Sequence, residues 1–220
     1  FCCPPNTLRT LCQAQNYAYT LNDEGIYCNL YGANTLTIHW KDKGEIVLTQ
    51  ETDYPWDGNV RVRLNKLPRK AGAFSLFFRI PEWCEKAIWK KGDMAELTMD
   101  MPVRLLEAHP LAEEIRNQVV VKRGPLVYCL ESMDIANGEK IDNILIPSDI
   151  QLTPRKITIE GSPIVALEGK ARLTSEESWE GVLYRPVARA GKTVDIRLIP
   201  YYAWGNRGKG EMTVWMPLAR

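Results

Sequence analysis

Two adjacent thiols, Cys2 and Cys3, stand directly before Pro4-Pro5-Asn6. A cysteine sulfur serves as a nucleophile or a zinc ligand in its thiolate form, which a metal, a cation or a helix N-terminus favours. The pair sits just ahead of a helix start. Asn6 suits the N-cap, and Leu8, Leu11, Cys12 and Gln15 follow at the three-and-four spacing of one helical face. The prolines restrict the backbone, so both sulfurs are expected to face a site above the helix end, where the dipole favours negative charge. Two thiolates are half of a tetrahedral zinc site, and the spacing is not that of a CxxC knuckle, so further ligands must come from elsewhere. The bland alternative is two buried thiols before a capped helix.

Other candidates are weaker. Cys12, Cys28, Cys84 and Cys129 lie among apolar neighbours and read as small hydrophobes. His39 and His109 have no partner at metal-ligand spacing and read as surface or linker residues. Trp40, Trp83 and Trp215 read as core, and the acidic pairs Glu113-Glu114 and Glu176-Glu177 as solvated. Trp204 differs, because it stands between Tyr201-Tyr202 and the glycine-rich Gly205-Asn206-Arg207-Gly208, where a loop can present an aromatic ring to a sugar. Packing between domains is the competing reading of that tryptophan.

The elements that must position these residues are mostly strands. The helix takes about three turns, and one helix that short is marginal alone. From Tyr17 onward, short runs alternate apolar and polar residues between Gly, Pro, Asn and Asp. Leu36, Ile38 and Trp40 oppose Thr37 and His39, and Asp42-Lys43-Gly44 turns the chain back. Val60, Val62 and Leu64 oppose Arg61 and Arg63; Phe74, Leu76, Phe78 and Ile80 oppose Ser75 and Arg79; and Leu97, Met99, Met101 and Val103 repeat the pattern. Ala108-His109-Pro110 breaks it. A second set of strands is expected near Val119, Pro125–Leu130, Ile144–Ile146, Lys156–Ile159, Leu183–Val187, Val194–Pro200 and Met212–Pro217, around a polar stretch from Asp134 to Asn143. Regular short strands without intervening helices predict antiparallel β-sandwiches.

The 220 residues allow a real core and two small domains, and the net charge of +1 supplies no field pointing to nucleic acid or a membrane surface. No apolar run approaches the roughly 20 residues that span a bilayer. Six scattered cysteines do not make a disulfide scaffold. A chain opening on Phe1, two residues from its most reactive motif, reads as the tail of a longer protein.

Six segments carry a resemblance: Cys2-Cys3-Pro4-Pro5-Asn6 with Arg9, Asn29-Leu30-Tyr31-Gly32-Ala33, Tyr54-Pro55-Trp56-Asp57-Gly58, Phe78-Arg79-Ile80-Pro81-Glu82-Trp83, Lys122-Arg123-Gly124-Pro125-Leu126-Val127-Tyr128 and Ile199–Gly208. In this order, over nearly the whole chain, they resemble glycoside hydrolase family 127, the bacterial β-L-arabinofuranosidases. The resemblance implies a mostly β chain: one helix left from an α/α-barrel catalytic domain (residues 1–17), then a first β-sandwich (18–107) and a second (108–220). It implies one zinc held by three cysteines and a glutamate, with Cys2 as the zinc-bound nucleophile and Cys3 as a second ligand. The third cysteine, the glutamate ligand and the acid/base glutamate belong to motifs absent from these 220 residues. The implied reaction is retaining hydrolysis of a plant-type glycan, inactive in this piece alone.

One departure stands out: Trp83 runs into Trp89 almost directly, where the family pattern has a longer stretch, so the first sandwich is expected to lack part of its sheet. The competing reading is a set of non-catalytic β-sandwiches that bind glycan, shield a barrel or form a homodimer. Sugar, linkage and compartment, bacterial cytoplasm or periplasm, stay open.

Overall fold

The computed structural model describes residues 2–92, 94–174, 180, 181, 183, 184 and 191–219. They form one α-helix and seventeen strands, in two compact units that divide between Met101 and Pro102. Among the described residues no helix is long and apolar enough to cross a membrane.

Helix α1 runs Cys3–Gln13, with Cys2 rather than Asn6 at the N-cap. The Asn6 N–H already donates to the Cys2 carbonyl at 3.2 Å. The helix starts early because Pro4 and Pro5 occupy its first turn, where an N–H would find no intrahelical partner. Asn6 instead accepts a hydrogen bond from the Arg9 guanidinium at 2.7 Å. No residue of α1 is buried; Leu8 and Leu11 are 63% and 69% exposed.

The first unit holds β1 (Tyr19–Leu21), β2 (Gly25–Cys28), β3 (Asn34–Trp40), β4 (Gly44–Thr52), β5 (Asn59–Lys66), β6 (Ser75–Phe78), β7 (Ala87–Lys91) and β8 (Ala95–Met99). Strands β3-β4-β5-β8-β7 form one antiparallel sheet, and β1-β2-β6 a second, in which β2 and β6 run parallel. The alternation read from the sequence holds: Val60 and Val62 are buried while Arg61 and Arg63 are exposed. Both sheets contribute to one core, Ile26 from the smaller and Ile46, Leu48, Val60 and Leu97 from the larger, with Leu76 and Phe78 packed against it. Gly25 is required where β2 meets β6, since a Cβ there would lie 2.0 Å from the Ser75 carbonyl oxygen. Tyr31, Tyr54 and Trp83, from three of the motif segments, pack in sequence: Tyr31 and Tyr54 edge to face at 5.8 Å, Tyr54 and Trp83 stacked at 6.4 Å.

The second unit holds β9 (Val103–Glu107), β10 (Gln118–Arg123), β11 (Leu126–Ile135), β12 (Ile144–Pro147), β13 (Thr153–Ile159), β14 (Ser162–Leu173), β15 (Thr193–Pro200), β16 (Met212–Thr213) and β17 (Met216–Ala219). Its pairings close a circuit, β11-β15-β14-β12-β17-β10 and back to β11, with β9, β13 and β16 attached outside it. This is one barrel-like sheet rather than two facing ones, and the β12–β17 pairing is parallel. Closure is possible because β10 gives Gln118 and Val119 to β17 and Val121–Arg123 to β11. The interior packs Val121, Tyr128, Leu130, Ile144, Ile146, Leu167 and Leu198.

Two further expectations change. The alternation from Leu97 to Val103 is not one strand: β8 ends at Met99, and Val103–Glu107 pairs with β10, so the unit boundary precedes Pro102 instead of following Glu107. Strand β14, the longest, carried no alternation signal because Ile164–Leu167 are all buried. Of the expected strand at Leu183–Val187, Leu183 and Tyr184 are exposed and outside any strand, and 185–187 lie outside the described residues.

Candidate functional site

Cys2 and Cys3 stand at the start of α1 with their sulfurs 3.8 Å apart, and both are exposed. Two thiolates on a tetrahedral zinc, each at about 2.3 Å, would be separated by roughly 3.8 Å. The spacing of the pair therefore matches two corners of such a site. Among the described residues no group of three or more His, Cys, Asp or Glu side chains is placed to hold a metal, so the other corners are not supplied here.

The remaining cysteines divide. Cys28 and Cys129 are fully buried, and burial pushes each thiol up to about 12, with the Glu131 and Asp134 charges adding to the effect at Cys129. Cys84 donates to the Lys86 carbonyl at 3.2 Å. Cys12, read as a small hydrophobe, is exposed, and none of the described residues packs on that face of α1. His39 lies 3.8 Å from Glu45 on an exposed strand face, and His109 accepts a hydrogen bond from the Leu111 N–H at 3.2 Å. Trp40 and Trp83 are half-buried against the first core, as read.

The loop after β15 holds residues that sequence reasoning did not single out. A 3₁₀ turn, Tyr201–Ala203, leads into Trp204 and the left-handed Gly205. Arg207 reaches back to β11, where its guanidinium donates to both carboxylate oxygens of Asp134, one at 2.9 Å, and to Glu131. Glu131 also accepts from the Gly205 N–H at 2.9 Å. The two carboxylate side chains are each 4% exposed. These contacts hold the Arg207 guanidinium above its usual range, its bond to Asp134 being the largest cause. In a regular strand, residues three apart face opposite sides. The irregular β11–β15 register between Leu130 and Ile135 lets both acids meet one arginine, which no periodicity in the sequence signals.

Comparison with known proteins matches both units. Residues 25–88 match the β-L-arabinofuranosidase GH127 middle domain, and residues 103–217 the glycoside hydrolase family 127 C-terminal domain. A non-reducing end β-L-arabinofuranosidase of Bifidobacterium longum subsp. longum is 29% identical over 245 residues, 97% of this chain and 36% of that protein. A solved structure described as a glycoside hydrolase is 79% identical, with a TM-score of 0.92 over 100% of this chain and 40% of its own. The crystal structure of Ara127N, a GH127 β-L-arabinofuranosidase from Geobacillus stearothermophilus T6, is 34% identical, with a TM-score of 0.84 over 99% of this chain and 37% of its own. The chain thus spans between a third and two fifths of the length of these relatives. With both domain models matched in order on two separate cores, the chain belongs to glycoside hydrolase family 127.

Proposed function

We propose that this chain is the C-terminal part of a retaining glycoside hydrolase that releases β-linked L-arabinofuranose from plant-type glycans, with Cys2 as nucleophile. The observation that carries the reading is the exposed sulfur pair, 3.8 Å apart at the start of α1, in a chain whose relatives include β-L-arabinofuranosidases. Helix α1 is the last helix of an α/α-barrel, which supplies the cover that Leu8 and Leu11 lack here.

Cys2 and Cys3 hold a zinc ion together with donors from the part of the polypeptide that this chain does not span. When bound, zinc stabilises the thiolate form of its ligands. The Cys2 sulfur attacks the anomeric carbon, and the C–S bond forms as the glycosidic C–O bond breaks. A carboxylic acid outside these 220 residues protonates the departing oxygen. The same group, now a carboxylate, takes a proton from water as the water oxygen attacks the anomeric carbon and the thiolate leaves, so that configuration is retained over two inversions. Cys3 keeps the neighbouring sulfur in place. Pro4 and Pro5 limit the motion of both.

The test uses the longer protein. Cys2→Ser should abolish release of arabinose from a β-L-arabinofuranoside, and Cys3→Ser should lower both activity and zinc content measured by mass spectrometry. Full activity in a Cys2→Ser protein would sink the mechanism.

A further inference from the structure

We propose that Tyr201, Tyr202 and Trp204 form a carbohydrate-stacking platform on the second unit, built for a neutral glycan. Only the choice of sugar rests on the reading under Proposed function. The three rings lie within four residues and are 46%, 56% and 43% exposed, while Ala203 between them is 5% exposed and anchors the turn. Apolar C–H faces of sugar rings pack on such aromatic surfaces.

The support beneath the loop argues against an incidental patch. Arg207 and its two carboxylates are taken out of water, and a buried ion group of this kind is weak as a source of stability compared with apolar side chains of equal volume. The Arg207 Nε is buried and makes no hydrogen bond among the described residues. Two further bonds fix the loop, Asn206 Nδ2 donating to the Ala203 carbonyl at 3.1 Å and the Trp204 N–H donating to the Tyr201 carbonyl at 3.4 Å. What this costly arrangement achieves is the position of an exposed aromatic segment. Rings held in place before a ligand arrives lose little freedom on binding. The platform itself carries no formal charge, which fits an uncharged glycan rather than an acidic one. Arg207 is a positioning residue in this scheme and touches no sugar.

The experiment uses the 220-residue chain carrying Cys2→Ser, 15N-labelled, titrated with a β-L-arabinofuranosyl disaccharide and with a longer oligosaccharide of the same sugar. The Trp204 indole N–H resonance, assigned by its loss in Trp204→Phe, should shift saturably. Trp204→Ala should weaken binding at least tenfold, Tyr201→Ala or Tyr202→Ala several-fold, and Trp204→Phe less than Trp204→Ala, with melting temperatures near that of the parent. An unshifted indole resonance, or equal affinity in Trp204→Ala, overturns the platform. So does an indole shift seen only on adding the rest of the polypeptide, which would make the loop a domain contact. Because Cys2 is already replaced, loss of the hydrolase reading leaves this result untouched, and a failed titration leaves the thiol mechanism untouched.

Discussion

Replacing Arg207 with Met keeps most of the stem's apolar volume and removes the cation that neutralises Glu131 and Asp134. Both carboxylates are 4% exposed, so neither can recover its lost partner from bulk water. Removing one partner of a buried ion group costs about 3–5 kcal/mol. The second unit, from Pro102 to Arg220, has an unfolding entropy of roughly 0.25 kcal/mol/K at about 2 cal/mol/K per residue, so the loss corresponds to a fall in melting temperature of about 12–20 °C. Calorimetry should resolve this fall in the second unit's transition and show the same fall in 1 M salt, since buried charges are poorly screened. The triple variant Glu131→Gln/Asp134→Asn/Arg207→Met should recover at least half of it, because no charge is then left uncompensated. A single Arg207→Met variant melting within about 3 °C of the parent would refute the clamp.

Four other outcomes follow from the same structure. Cys28 and Cys129 are held up at about 12 by burial, so their folded thiols keep protons that the unfolded chain gives up; stability is full below pH 9 and falls above it by about 1.4 kcal/mol per pH unit for each thiol, and denaturant midpoints between pH 9 and 10 should flatten in Cys129→Ala for the second unit. Gly25→Ala should destabilise the first unit by about 3 kcal/mol in urea unfolding, because its Cβ would meet the Ser75 carbonyl oxygen at 2.0 Å and overpacking costs at the upper end of its range there. Tyr128→Phe removes the donor to the Val165 carbonyl, a bond of 3.0 Å inside the barrel-like sheet, and should cost about 1–3 kcal/mol in the same assay. Cys2→Ser and Cys3→Ser in this chain should each leave stability within about 0.5 kcal/mol, since both side chains are exposed; a larger loss would assign them a packing role instead.

Period-two alternation made much of the first unit legible. Val60, Val62 and Leu64 against Arg61 and Arg63 place one face inward without any knowledge of partners, because each strand shows one face to a core and one to water. The same rule failed for β14, where Ile164–Leu167 are buried on consecutive positions and the pattern that marks a half-exposed strand is erased. Asn6 was misplaced as a cap for a local reason: two prolines in the first turn let the helix begin before the residue whose side chain best suits a cap.

The sequence by itself determined the reactive elements: the vicinal thiols before a proline-led helix, the alternating strands, and the ordered motifs that resemble family 127. Only the tertiary structure decided how the strands close and what meets across them. Sheet circuits depend on pairings between residues far apart in the chain, such as Val119 with Met216, and no local pattern encodes them. Arg207 and its two acids are 73 and 76 residues apart in sequence, and they meet because an irregular register on β11 turns Glu131 and Asp134 toward the same guanidinium.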